Sequence, residues 1–568
     1  MIFAGVACTE VQGDVFTHEL IPAGPIPTAF DPDGVYPYLS FVETSHRPVL
    51  KKYGFVVLEN TKLRVTICPD RGGRVTSIVH KGSRKEVLYA PDVIRPTRIL
   101  PRFGFVAGGI EVSFPISHSP VQNDPVLYRI DHTNMRSYVT CGERELRFGM
   151  QWSVEYSLGP DDDCLTQRAV FHNPGRSAHP WMSWSNAAVP SAPDTQYHFP
   201  RGRVLAHSST LAVIDWHPMQ EADIAEMTGF FWETKDGKAF GAFTPSLGIG
   251  LYHVAAEAIA PGMKLWSYGV GKDRAWGTYA EIQGGPIRDQ STKLELGPGE
   301  TRSHVEFWIP SDKPLDIYAL KIPNVQLRPI KDVPLFEWAR EGEVKVWRDL
   351  VRAYASQGRL PQPPEIDRCL WPPSGMEDLN APFKWAIEKT KNAEKEHWKF
   401  YYGTWLAGRG KKREAIAVLS ATGSVGVATV LLARLLTMDG DIEGAATAYR
   451  SVQEQWLQRH PQIIVARDEA LRALGTETLG EREQWLGVDA VADERIIERR
   501  IQLLIDKGEL QAARRLLLST SFQKVHQRYV RTALWKQLCE KLNEPCSPIP
   551  AELGEDQLAA FGAYREFA

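Results

Sequence analysis

Lys62-Leu63-Arg64-Val65-Thr66-Ile67, the turn Pro69-Asp70-Arg71-Gly72-Gly73, and Arg74-Val75-Thr76-Ser77-Ile78-Val79 together decide the fold. Polar and apolar residues alternate in both arms. Successive side chains of a strand point to opposite faces, so each arm has one apolar face and one wet face. The Pro/Gly-rich middle turns the chain back, and the whole reads as a hairpin of antiparallel strands. Similar runs recur at Leu146–Leu158, Cys164–Phe171, Ala239–Phe243, Trp276–Gln283 and His304–Ile309. About 280 residues of this texture predict an all-β sandwich or barrel rather than an α/β fold.

The texture changes near residue 330. Residues 313–380 are Pro-rich, with Leu360-Pro361-Gln362-Pro363-Pro364 and Trp371-Pro372-Pro373, and read as a connector wrapped along the β domain. From Ala381 the pattern is helix–turn–helix. Gly410, Gly440, Gly475 and Gly508 mark turns separated by 30, 35 and 33 residues. That period, with small residues where paired helices approach, resembles degenerate tetratricopeptide repeats; an ordinary helical bundle is the alternative. The expected organisation is an extension (1–45), a β-sandwich (46–312), the connector (313–380) and a helical repeat domain (381–568).

Composition narrows the function classes. With 43% hydrophobic and 24% charged residues in 568, the chain is ordinary globular protein, long enough for several domains. A net charge of −3 offers no basic stripe for nucleic acid or an anionic membrane. No run of about 18 apolar residues predicts a membrane span. The seven cysteines are scattered without a C-x-x-C spacing, which favours a reducing, cytoplasmic setting. No Walker loop, dinucleotide fingerprint, nucleophile elbow or H-E-x-x-H pattern occurs, so neither a cofactor nor a metal is expected.

Thr278-Tyr279-Ala280-Glu281-Ile282-Gln283-Gly284-Gly285-Pro286 is followed by Leu294-Glu295-Leu296-Gly297-Pro298-Gly299-Glu300-Thr301 and His304-Val305-Glu306-Phe307-Trp308. This resembles the C-terminal signature of the aldose 1-epimerase (galactose mutarotase) superfamily. There a Leu-Glu-Thr-Gln strand presents the catalytic carboxylate and a Pro-Gly-Glu turn leads into the last strand. Phe105-Val106-Ala107-Gly108-Gly109-Ile110-Glu111-Val112-Ser113-Phe114-Pro115, with His118-Ser119-Pro120, is similar to a branch of that superfamily often fused to tetratricopeptide repeats. Trp181–Pro190 and Gly262–Gly269 match the same branch. The resemblance spans residues 50 to 310 and implies a mutarotase-like supersandwich with a catalytic base at Glu281. Branch members tend to carry Asn two residues after the Glu and a basic residue after the His. Ser113 and Ser119 stand there instead.

Chemistry at an anomeric carbon needs one group that moves a proton at the exocyclic oxygen and a second group facing it. Alternation puts Glu281 on one strand face with Tyr279 and Gln283, suited to holding sugar hydroxyls; by pattern alone the face is either a site or solvated. Glu111 follows Gly108-Gly109, where backbone approaches a ligand closely, or else forms a bulge with Glu paired to an Arg such as Arg102. His118, between two serines, reads as a proton-transfer group or a surface residue. His179 falls near the position of the superfamily's catalytic His, or is a turn residue before Pro180. Trp184, Asn186, Trp266 and Trp276 read as stacking and amide contacts or as core. Arg71 binds a sugar or its carboxylate, or caps its turn.

The leading expectation is a glycoside hydrolase using Glu111 and Glu281 as acid and base, assisted by His118. Alternatives are an aldose 1-epimerase or related isomerase using Glu281 and a His, a uronic-acid lyase with Arg71 as clamp, and a carbohydrate-binding scaffold without turnover. The expected ligand is a sugar or oligosaccharide. The helical domain is expected to pack on the sandwich, bind a protein partner or form a homodimer.

Overall fold

The computed structural model describes residues 2–3, 5–30, 35–96, 105–208, 210–256, 260–267, 279–289, 292–422, 425–487, 493–523 and 528–554. Among them, two large sheets pack face to face, one of 14 strands and one of nine, and helices follow. The Leu63–Cys68 and Arg74–His80 arms pair antiparallel, as their alternation predicts, with a register shift at Thr66/Ile67. Val75, Ile110, Ala187, Ile282 and Leu265 of the first sheet meet Trp152, Val154, Leu165, Phe171 and Trp308 of the second in one core.

Two boundaries move. The sandwich begins at Val6, because Val6–Thr17 pairs with Val49–Glu59 along its whole length. Much of that strand is exposed and polar, so its sequence resembles a loose extension. The helical part begins at Glu341, inside the expected connector. Glu341–Ser356 buries Val344, Trp347, Leu350 and Ala353, three residues apart on one helical stripe.

The preceding connector straps the outer face of the second sheet. Pro334 and Phe336 carbonyls accept from Ser153 Oγ (2.5 Å) and Gln151 Nε2 (2.9 Å). Arg328 bonds Asp131 (2.9 Å) and the buried Glu155 (2.5 Å). Arg340 then bonds Glu143 at 3.0 Å over the ring of Tyr38.

In the helical domain, Asn392–Gly408 with Lys412–Ser420, Gly426–Met438 with Ile442–Arg450, and Glu494–Asp506 with Leu510–Ser519 form successive hairpins. Gly410, Gly440 and Gly508 sit in their turns at φ +73°, +85° and +79° with nothing near an added Cβ, so conformation alone selects glycine there. Residues of the N-terminal arm, Ile26, Ala29 and Tyr36, belong to the helical core. Tyr36 donates to the Pro372 carbonyl at 2.6 Å.

Between the sheets lies a polar knot. The fully buried Glu306 accepts from His253 (3.0 Å), Gln167 (2.8 Å) and Ser185, with His304 at 3.4 Å. Ser185 belongs to the first sheet and the others to the second, so this knot ties the two layers. Gly284 permits it, since a Cβ there would stand 2.9 Å from the His253 ring. Burial alone would raise the Glu306 carboxyl, but the histidine hydrogen bonds and charges hold it well below the usual carboxylate range. A depressed folded pKa stabilises fully above the unfolded value of about 4.3 and is lost as pH falls below it. Glu306→Gln is therefore expected to lower stability at pH 7 and to flatten the wild type's decline below about pH 4.3. Denaturant melts from pH 3 to 7 check this, and parallel profiles for the two proteins would refute it.

Candidate active site

Strand register assembles the site. Glu111 of Ile110–Val112 stands opposite Asn186, Asn186 opposite Gln283, and Gln283 opposite Lys264. One row over, Ala188, Glu281 and Trp266 are cross-strand partners. All lie on the face turned away from the sandwich core. Glu111 and Glu281 sit two strands and two residues apart, about 12 Å at Cα. Each is 6% exposed.

Glu111 is held by protein on both oxygens. Oε1 accepts the Ser119 N–H at 2.8 Å. Oε2 accepts His118 Nδ1 at 3.0 Å and lies 3.6 Å from Arg74. Burial would raise this carboxyl, but His118 first, then Arg74 and the Ser119 N–H, outweigh it and hold it below its ordinary value. An ionised carboxylate only accepts, so Nδ1 of His118 carries the proton and Nε2 is the nitrogen outside that bond. His118 adopts φ +54° against the edge of Phe105.

Glu281 has a different environment. Its Oε2 accepts from Asn186 (3.0 Å) and Gln283 (2.9 Å). Burial pushes its carboxyl up, reinforced by the charge of Glu111, against the pull of His118, Lys264 and the Asn186 amide. Lys264, over the ring of Phe231 at 4.8 Å, is lowered by burial to about 8, with Glu281 opposing the shift. Burial thus drives both groups toward their neutral forms. Lys264→Met removes a cation that lowers Glu281, so the pH–rate limb belonging to Glu281 is expected to move to higher pH. An unmoved limb would dissociate Lys264 from Glu281.

An aromatic wall completes the site. Tyr89 stacks on Tyr279 at 4.8 Å, and Trp266 leans on Tyr279 at 5.5 Å.

Of the residues expected from sequence, the structure unites Glu281, Glu111, His118, Asn186, Gln283 and Trp266. Others fall elsewhere. His179 stacks on Phe148 at 4.8 Å and faces Glu377 of the helical side at 3.9 Å, so it does not join Glu281. Trp184 shares the site's sheet face but is 2% exposed and packs with Met182 and Ile287, which leaves no ring face for a ligand. Arg71 is buried beside Arg74 in a neighbouring hollow of 210 Å³ that Gly108 and Gly109 also line. Those glycines admit protein rather than ligand: Arg74 reaches the carbonyls of Val106 (2.8 Å) and Gly108, and a Cβ on Gly109 would collide with the Val75 carbonyl. Ser113 and Ser119 act structurally, at the Trp184 N–H (3.0 Å) and the Glu111 carboxylate. Arg102 and Trp276 lie outside the described residues.

Sequence reading placed Tyr279 on the Glu281 face but missed Arg74, Lys264 and Tyr89. Lys264 had a signal, since it shares strand parity with Trp266 in Gly262–Ser267. Arg74 had none, because its role depends on the loop above it.

Fold and site together define a two-domain protein, a β-sandwich with a buried acid–base cluster on one sheet face followed by helical hairpins. The chain belongs to the family of a TPR-domain containing protein from Parabacteroides distasonis. The two share 57% identity over 98% of this chain and 99% of that one, with a TM-score of 0.92. Residues 30–311 match the family described as Domain of unknown function (DUF5107), and a second family, a C-terminal domain, matches 347–538. Over roughly its N-terminal half the chain is also similar to galactose mutarotase-like proteins. That of Clostridium acetobutylicum has 14% identity over 46% of this chain and 95% of its own, TM-score 0.36. That of Lactobacillus casei has 13% over 45% and 100%, TM-score 0.35. At this level the likeness bears on neither activity nor substrate. Among the described residues no helix is long and apolar enough to cross a membrane.

Proposed function

We propose that the protein processes a sugar at its anomeric carbon, with Glu281 and His118 as the proton-transfer pair and Glu111 as the residue that positions His118. One observation carries this reading: both oxygens of Glu111 are engaged by protein donors, whereas Glu281 is raised and His118 keeps Nε2 outside its Glu111 bond. A carboxyl and an imidazole with separate roles suit removal of a proton from the anomeric hydroxyl and its return to the ring oxygen. Asn186, Gln283 and Lys264 supply hydroxyl contacts, and Trp266 with Tyr279 an apolar wall. This is the chemistry of an aldose 1-epimerase or related isomerase.

The glycoside hydrolase reading keeps one supporting observation. Glu111 and Glu281 are pushed in opposite directions by their surroundings, as an acid and a base on one sugar would be. We place the reaction in a reducing, cytoplasmic setting, in keeping with the free cysteines at 8, 68, 141, 164, 369, 539 and 546.

The test is to incubate the protein with free aldoses, following anomer exchange by NMR, and with aryl glycosides, following aglycone release. Accelerated exchange without release, lost in His118→Asn, supports the isomerase. Release that falls more than about a hundredfold in both Glu111→Gln and Glu281→Gln replaces it with the hydrolase. Neither activity in the wild type would overturn both readings.

A further inference from the structure

The site's cross-strand row does not stop at Lys264. Lys264 is the register partner of Phe231, Phe231 of Leu205, and Leu205 of Val213. The adjacent row runs from Glu281 through Trp266 and Gly229 to His207 and Leu211. All these positions share the face that carries Glu111 and Glu281. Over this stretch the sheet floors a hollow of 560 Å³ bounded by Leu205, His207, Leu211, Phe231, Arg288 and Asp289. Arg288 and Asp289 lie three and four residues past the end of the strand that carries Glu281.

We infer that this hollow is a second sugar subsite, so that the substrate is a disaccharide or longer glycan rather than a free monosaccharide. The inference rests on the proposed sugar chemistry at Glu281 and extends it. Three observations carry it. The hollow adjoins the site: Phe231 on its floor packs against Lys264 on the neighbouring strand, next to the strand of Glu281. Its volume lies in the range of small-ligand sites. Its chemistry suits a pyranose: an apolar floor of Leu205, Leu211 and Phe231 for the ring face, flanked by His207 and Arg288 for the hydroxyls. Leu211 is 68% exposed at the sheet's edge, an apolar surface that a covering ligand would remove from water.

Calorimetry in the Glu281→Gln background, where turnover is expected to be slowed, tests this with glucose and galactose against maltose, cellobiose, lactose and melibiose. At least one disaccharide is expected to bind tenfold or more tightly than either monosaccharide. Leu205→Ser combined with Arg288→Ala is expected to cut that advantage to threefold or less. The ratio is insensitive to partial loss of active protein. Equal binding of mono- and disaccharides, or an advantage that survives the double substitution, overturns the subsite and leaves the chemistry at Glu281 standing. Absence of binding by any of the six sugars overturns both. A dimer in solution that Leu211→Asp dissociates would also overturn it, assigning the edge to a second copy of the chain.

Discussion

Glu281→Gln is expected to reduce turnover by about 10²–10⁴-fold while leaving the thermal midpoint within about 2 °C of wild type. The first figure is what general acid–base catalysis contributes, about 3–5 kcal/mol of barrier. The second follows from local geometry. The Asn186 and Gln283 amides both donate to one carboxyl oxygen, and a glutamine oxygen accepts the same pair. The substitution therefore keeps these two contacts and removes the group that can take up or release a proton. It also relieves a carboxyl that burial already disfavours as an anion. Turnover and a melting curve on the same sample decide it. Activity within fivefold of wild type would reduce this sheet face to a binding surface.

Arg340→Met should have the largest effect on stability. Glu143, fully buried, meets Arg340 at 2.9 Å, and Asp124 stands 4.0 Å from the same guanidinium. Burial pushes the Glu143 carboxyl up and Arg340 opposes it. Removing one partner of such a pair strands the other charge in a low dielectric, at a cost of about 3–5 kcal/mol. The midpoint should drop by on the order of 10 °C. The double variant Arg340→Met/Glu143→Gln should recover part of the loss, because no stranded charge remains. A single variant that melts with the wild type would refute the assignment.

Much of the architecture was legible from residue 62 onward, because short β-rich runs bounded by turn residues mark the strands and glycines that a left-handed turn requires mark the helical hairpins. The Val6–Thr17 strand was not. It lies near the sheet's edge, where little of it has to be apolar. Glu341–Ser356 carried a readable stripe, masked by the prolines that follow. In the site, Glu281 was found because alternation and resemblance agreed on one strand. His118 was read as a proton-transfer group from its place between two serines, and His179 as a contact from the resemblance alone. His118 turns back on Glu111 from the loop that follows the same strand, whereas His179 stacks on Phe148. Arg74 was hidden because its partners, the Val106 and Gly108 carbonyls and Gln122, lie in loops more than 30 residues on, whereas Lys264 was legible only through its parity with Trp266.

The arm that carries Ile26, Ala29 and Tyr36 into the helical core has a consequence for how the chain is made. Those residues leave the ribosome ahead of most of the sandwich, and Trp398 and Phe400, in the same cluster, follow about 370 residues later. At about 5–20 residues per second the arm waits roughly 20–75 s for its partners. The sandwich can close during that interval, but the helical half cannot finish until an early-made piece is threaded into a late-made one. A nascent chain halted in the connector displays an apolar arm with nothing to cover it, and the helical half expressed alone lacks part of its own interior.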